Sequence, residues 1–192
     1  EVTVILAHDS QNTLTDATTR PCDESDPNTE ASAALYSKAD LTVTGAGSLA
    51  VTGNYDDAIH SKDGLVIDGP NITVTAVDDG IIGKDYLVLV SGSVNVTSTD
   101  TGFGSDNDEE ENRGWLSILG GSLTVATDDD GVKAENAIAI SGGTVDVTKS
   151  EEGIEAARIL ISDGTVNVMS NDDGINASGG YGTETSTEDS AA

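Results

Sequence analysis

A phrase of three positions recurs six times along this chain: Asp57-Ala58-Ile59, Asp79-Gly80-Ile81, Thr101-Gly102-Phe103, Asp130-Gly131-Val132, Glu152-Gly153-Ile154 and Asp173-Gly174-Ile175. Its apolar members stand 22, 22, 29, 22 and 21 residues apart. A fixed period of that length marks a solenoid, in which one repeat is one coil that cannot bury its apolar face until a neighbour stacks on it. Stacking also piles the residues before the glycine over one another, and these are mostly paired carboxylates.

Each period reads as three short strands. The first carries Leu41/Val43, Leu65/Ile67, Leu87/Leu89, Leu116/Ile118, Ile138/Ile140 and Ile159/Ile161. The second carries Leu49/Val51, Ile72/Val74, Val94/Val96, Leu123/Val125, Val145/Val147 and Val166/Val168. The third pairs a large inner residue with a small one: Ile59/Ser61, Ile81/Gly83, Phe103/Ser105, Val132/Ala134, Ile154/Ala156 and Ile175/Ala177. Residues two apart on a strand share one face, so all these pairs point inward. Glycine-bearing turns such as Asp68-Gly69 and Asp163-Gly164 separate the first strand from the second. No helical period appears. The expected fold is all-β: a right-handed, single-stranded parallel β-helix with about 22 residues per coil. It should form one domain over residues 1–180, with Val2 to Leu14 supplying an extra strand pair. Inserted loops are expected at 17–32 and at 108–114, the latter accounting for the 29-residue step. Residues 181–192 read as a disordered tail or linker.

Charge narrows the partners. With 8 Lys and Arg against 35 Asp and Glu, the net charge is -27. Phosphate contacts need basic residues, so nucleic acid is excluded as a partner. No apolar run approaches a membrane span, so membrane insertion is not expected. Cys22 is the lone cysteine, which rules out an internal disulfide. The chain opens directly on the strand-like Val2-Thr3-Val4-Ile5 without a leader-like segment, as a piece of a longer protein would.

The acidic column comprises Asp56-Asp57, Asp78-Asp79, Asp100-Thr101, Asp129-Asp130, Glu151-Glu152 and Asp172-Asp173. Like charges directly opposite on adjacent strands destabilise a sheet. At about 4.8 Å and an effective dielectric of 20, two unit charges repel by roughly 3.5 kcal/mol. A cation would remove that cost, and hard carboxylate oxygens suit Ca²⁺. A second column, after the third strand, reads Lys38, Lys62, Lys84, Asp106, Glu135, Ala157. Lysines there would act as internal counter-ions. Asp106 and Glu135 replace them, so the metal is expected in those two coils, with Asn107 and Asn136 adding amide oxygens. The candidate metal ligands are Asp78, Asp79, Asp100, Asp106, Asp129, Asp130, Glu135, Glu151, Glu152, Asp172 and Asp173. The alternative is an acidic edge that is merely solvated and keeps the solenoid soluble.

Other faces are less charged. Outside the second strand lie Ala50/Thr52, Thr73/Thr75, Asn95/Thr97, Thr124/Ala126, Asp146/Thr148 and Asn167/Met169. A flat Thr-x-Thr array would suggest ice binding, but one coil alone carries both threonines. Outside the first strand, Thr42, Val66, Val88, Ser117, Ala139 and Leu160 form a partly apolar stripe. It should be covered by the N-terminal segment or by self-association through Val66, Val88 and Leu160. Trp115 and Arg113 close the inserted acidic loop. With Lys133 they are the candidate sugar contacts, although Trp115 could equally pack the loop onto its coil. His60 reads as a surface residue.

Ser61-Lys62-Asp63-Gly64-Leu65, Asp78-Asp79-Gly80-Ile81-Ile82-Gly83-Lys84-Asp85 and Gly121-Ser122-Leu123-Thr124-Val125 carry a resemblance. The chain from Leu35 to Gly180 resembles a family of bacterial cell-surface, carbohydrate-binding, calcium-containing β-helix proteins with a polysaccharide-lyase-like fold. It departs from the family pattern at Thr101-Gly102-Phe103 and at Asp106. The resemblance implies calcium, an extracellular or cell-surface location in bacteria, and binding of a polysaccharide such as cellulose or the acidic polygalacturonate. The leading expectation is a non-catalytic carbohydrate-binding module that uses calcium to reach an acidic polymer. The alternatives are a calcium-dependent pectate-type lyase, with Lys133, Arg113 or Arg158 as base, and a calcium-rigidified structural adhesin or spacer.

Overall fold

The computed structural model describes residues 1–19 and 33–179. They form a parallel β-solenoid with three ladders of strands. The large inward residue of each coil sits over its counterpart in the next. In the first ladder, Val4, Val43, Ile67, Leu89, Ile118, Ile140 and Ile161 stand in register. The second stacks Leu14, Val51, Val74, Val96, Val125, Val147 and Val168. The third stacks Leu35, Ile59, Ile81, Phe103, Val132, Ile154 and Ile175. The period-2 alternation therefore converts directly into one continuous apolar core, most of whose members are fully buried. The N-terminal strands Val2–Leu6 and Gln11–Thr15 add a further rung at one end, on Leu41–Gly45 and Ser48–Gly53. The expected 17–32 loop lies mostly outside the described residues, and the 181–192 segment wholly so.

First and second strands meet at a bend where glycine is required. Gly69, Gly92 and Gly164 have φ of +100°, +104° and +101°, a left-handed conformation that other residues rarely adopt. This bend lets one strand continue into the next without a loop, as in Gly64–Ala76 and Tyr86–Thr97.

Polar groups enter the interior where the third strand turns back toward the first. Asn107 and Asn136 are buried there. Asn107 Nδ2 donates to Asp85 Oδ1 at 2.7 Å, and its Oδ1 accepts from the backbone N–H groups of Glu109 and Glu110. Asn136 Nδ2 donates to the carbonyls of Glu111 and Arg113. These two asparagines pin the inserted loop to the coils on either side. The expectation that they offer amide oxygens to a metal is corrected: their side chains are spent on the loop and its neighbours.

The outer faces differ sharply in charge. Outward columns of the second ladder run Gln11, Ser48, Asn71, Ser93, Ser122, Thr144, Thr165 and Thr13, Ala50, Thr73, Asn95, Thr124, Asp146, Asn167. Asp146 is the single charged residue in those two columns. On the first ladder, Val66 and Val88 are half-buried while Leu160 is 62% exposed. Val2–Leu6 stacks on Leu41–Gly45 as another rung, so the N-terminal strands do not cover that stripe as expected. Stacking as a rung gives each N-terminal strand a ladder of backbone hydrogen bonds to its neighbour, which lying across the face would not.

Phe103 is fully buried and is the bulkiest of the buried side chains. Phe103→Ala should cost about 3–5 kcal/mol, as for other buried aromatic truncations. Urea unfolding monitored by circular dichroism would read this as a lower midpoint with little change in slope.

Candidate functional site

Between the second and third ladders the chain turns through the acidic phrase, and the backbone holds these turns one over another. The N–H of Gly80 donates to the Thr101 carbonyl, Gly102 to Asp130, Gly131 to Glu152 and Gly153 to Asp173, at 2.8–2.9 Å. Glycine is needed because the turns approach so closely. A Cβ on Gly131 would lie 2.6 Å from the Gly153 carbonyl oxygen and 2.7 Å from Val147 Cγ1. The acids thus have no freedom to drift apart along the solenoid.

Three groups of carboxylates result, each with oxygens within 4.8 Å of one another: Asp56, Asp57 and Asp78; Asp78, Asp79 and Asp100; and Asp130, Glu152 and Glu155. The first two share Asp78 and form a continuous patch. Burial, then the charges of Asp57, Asp100 and Asp78, push Asp79 up to about 8; the backbone N–H of Thr101, 2.9 Å from its Oδ1, opposes the rise. Asp78 is pushed up to about 6 by burial and by contact with Asp56, a carboxyl facing a carboxyl across one coil step. Asp129 rises for the same reasons, burial and then a hydrogen bond to Asp100. The three groups rise because burial and neighbouring carboxylates act on them in the same direction, and for Asp78 and Asp79 no positive group offsets the rise.

Compensation comes from a column absent from the sequence-based expectation. The outward residue directly after the large apolar one reads His60, Ile82, Gly104, Lys133, Glu155, Asn176. It stands three residues beyond the second acid of its own coil. His60 Nδ1 lies 2.7 Å from Asp57 Oδ2, and both side chains are buried. The histidine is therefore not the surface residue expected: its bond to Asp57 holds it in place, and the Tyr36 ring lies 5.9 Å away. Lys133 Nζ lies 2.5 Å from Asp130 and 3.3 Å from Glu155. Burial alone would push its ammonium down, but Asp130 and then Glu155 push it above the usual lysine range. Asn176 adds a donor to Glu152 at 2.9 Å. Between these two coils, Ile82 and Gly104 bring no charge, and there the Asp78, Asp79 and Asp100 oxygens converge.

Several expectations shift accordingly. Asp78, Asp79 and Asp100 come together, as do Asp130 and Glu152. Asp129 reaches Asp100. Asp106 and Glu135 are in none of the converging groups among the described residues, because they lie beyond the strand rather than at the turn. The coil expected to lack a protein cation has one in Lys133. Glu151, Asp172 and Asp173 are exposed at the end of the column. Asp56, Asp57 and Glu155 join the site instead. The signal for Glu155 was its register with Lys133, one period apart. Ser150 Oγ, in the turn of Glu151 and Glu152, is buried without a hydrogen-bond partner among the described residues.

The sugar-contact candidates are also engaged. Arg113 Nη1 bonds Asp85 and its Nε faces Glu110, tying the loop down. Trp115 stacks on Tyr86 of the preceding coil, with centroids 5.0 Å apart and planes 13° apart. One indole face is thus taken by packing.

The residues of the first two groups fit a hard divalent cation. They offer carboxylate oxygens alone, held close by the backbone; His60 stands against Asp57, while Asp78, Asp79 and Asp100 converge with one another. In chelator, the proton on Asp79 stabilises the fold: its folded value of about 8 lies above the ordinary 3.8. That contribution is complete below about pH 4 and is lost as pH rises through about 8. The melting midpoint should therefore fall across that window in EDTA, and millimolar calcium should remove the fall. Asp79→Asn should raise the midpoint in EDTA at the alkaline end and shrink the calcium response. A pH series of thermal melts on both proteins reads all of this.

A family model described as carbohydrate-binding domain-containing protein matches residues 1–187. A relative of the same description from Acetivibrio thermocellus is 37% identical over 76 residues, which is 40% of this chain and 26% of the relative. The chain therefore matches about a quarter of that relative's length. The solved polysaccharide lyase-like protein from C. thermocellum, a gadolinium derivative, superposes with a TM-score of 0.71 at 26% identity, over 91% of this chain and 66% of that one.

Proposed function

The chain belongs to the carbohydrate-binding domain-containing protein family, and we propose that it is a non-catalytic module that binds cell-wall polysaccharide with calcium at its acidic edge. Asp56, Asp57, Asp78, Asp79 and Asp100 would hold the ion. The carrying observation is the raised Asp78 and Asp79 pair, where stacked carboxylates meet no opposing side-chain charge from Ile82 or Gly104. A bound cation supplies what a chain of net charge -27 lacks for an acidic polymer, a positive group facing uronate carboxylates. The solved relative's gadolinium is also a hard, oxygen-seeking cation. With bacterial relatives, the module belongs at the cell surface or outside the cell.

A lyase reading is weaker on this chain's own residues. Calcium-assisted β-elimination needs a base whose pKa is lowered toward neutrality. Lys133 is pushed the other way by Asp130 and Glu155. Arg113 is bound to Asp85, and Arg158 donates to Asn136 Oδ1 at 2.6 Å. The three basic groups hold separate partners.

Retention on immobilised polygalacturonate tests the proposal. Wild-type protein should be retained in calcium and released by EDTA, while the Asp78→Asn/Asp79→Asn double variant should lose at least tenfold in affinity. Binding unchanged by EDTA would overturn the role of the ion. No binding to any glycan, with calcium still raising the melting midpoint, would make the protein a rigid spacer. Appearance of the unsaturated product's ultraviolet absorbance would make it a lyase.

A further inference from the structure

Six Asp-Gly steps occur in the chain, at 63–64, 68–69, 79–80, 130–131, 163–164 and 173–174. Such a step can rearrange without an enzyme, because glycine leaves its nitrogen unshielded beside the carboxyl of the preceding aspartate. The fold treats the six differently. Gly80 and Gly131 donate their N–H groups to the carbonyls of Thr101 and Glu152 on the next coil, and Gly64 donates to Asp40 Oδ1 at 2.9 Å. At Asp173-Gly174 the carbonyls of both residues accept from Gly153 and Ile154, which fixes the peptide planes on either side. Asp68 Oδ1 accepts the Ser91 hydroxyl at 2.7 Å. At the remaining step the Gly164 N–H turns back onto its own neighbour: it donates to Asp163 Oδ1 at 2.7 Å, and both residues are exposed. That bend is also supported on one side alone. Asp163 sits between two shifts of register, and residues 158–168 pair with the preceding coil only, since Ile175–Ala177 covers no more than Ile154 to Ala156 among the described residues. Asp68, by contrast, has a partner strand on each side, through Thr44 and Ser91. Edge segments with few partners open at low free-energy cost.

We infer that Asp163-Gly164 is a self-modification site, at which aspartate converts to isoaspartate ahead of every other Asp-Gly step in the chain. The Gly164 nitrogen attacks Cγ of the protonated Asp163 carboxyl. The carboxyl hydroxyl and the N–H proton leave together as water, and a succinimide ring closes. Water then opens the ring. Opening at the former side-chain carbonyl restores aspartate. Opening at the α-carbonyl gives isoaspartate, in which the main chain runs through Cγ and the α-carboxylate becomes the free group. One water is lost and one regained, so mass and net charge are unchanged and no other reagent is needed. The fold supplies proximity, by holding the nitrogen against the group it attacks. It also supplies access: Gly164 has φ of +101°, a conformation that keeps the position a glycine with no side chain to shield the nitrogen. The product carries one extra main-chain atom at the bend, which shifts residues 165–168 against their partners Thr144 to Val147 and loosens that edge. The acidic turns lie at a different corner, between the second and third ladders, so the cation site is untouched.

The test is incubation of the full chain at neutral pH and physiological temperature, followed by peptide mapping with electron-transfer fragmentation, which separates isoaspartate from aspartate at equal mass. Isoaspartate should accumulate at position 163 about tenfold faster than at any other Asp-Gly step. Asp163→Glu, which would have to close a larger ring, should abolish it there. Asp163→Asn should react faster than wild type, because ammonia replaces water as the group expelled, and its conversion reads out as a gain in mass. Ser91→Ala, which frees the Asp68 carboxylate, should raise conversion at Asp68 several-fold and leave position 163 unchanged. All three variants should melt as wild type does before incubation. Conversion spread evenly over the six steps, or appearing first at a step other than Asp163-Gly164, would overturn the inference. So would an intact chain that stays unmodified while a peptide of residues 158–168 converts, because the fold would then protect the step rather than promote it. Ser91→Ala without effect at Asp68 would overturn the protection assigned to that hydroxyl.

Discussion

In-register parallel stacking is the constraint on which everything else depends. Each residue of a coil has the equivalent residue of the next coil as its nearest neighbour, about 4.8 Å away. Repetition therefore pairs like with like. For Ile67, Leu89, Ile118 and Ile140 this is favourable, since each buried aliphatic side chain finds another of its kind and water is excluded along the whole axis. For Asp57, Asp79 and Asp130 the same geometry is costly, because carboxylates meet carboxylates. The glycine turns leave no slack, and the acids cannot separate without breaking the ladder of backbone hydrogen bonds.

The chain relieves this cost unevenly. At one coil a buried histidine meets Asp57; at another, Lys133 bridges Asp130 and Glu155 across a coil step. Between them Ile82 is a buried apolar side chain and Gly104 contributes none. The like-charge burden that remains at Asp78, Asp79 and Asp100 is thus local. A stretch of a solenoid that withholds its own counter-ion is a place where an outside cation gains most by binding. The neutral face of the second ladder is built on the opposite choice, with charge kept off almost every outward position.

The insertion behind the 29-residue step is absorbed with little disturbance. Residues 108–114 leave the coil and return to it, and Trp115 resumes the first ladder directly over Tyr86. Two buried asparagines and Arg113 take up the polar groups of the excursion. Aromatic, amide and guanidinium groups that looked available for ligands are used to hold the insertion. An insertion needs such partners because its backbone has no strand to pair with.

The period, the three-strand coil and every core column were legible in the sequence, since alternation along a strand and a repeat near 22 residues are properties of the chain itself. The acidic column was legible for the same reason. What tertiary structure decided was which charges meet. His60 and Lys133 read as surface residue and sugar contact, yet each turns onto the acid three residues before it. Asp106 and Glu135 read as ligands, yet fall outside the converging groups. Column membership depends on spacing alone. The partner of a long polar side chain depends on its rotamer, the crowding around it and the competing donors on adjacent coils, and those exist only once the coils are stacked.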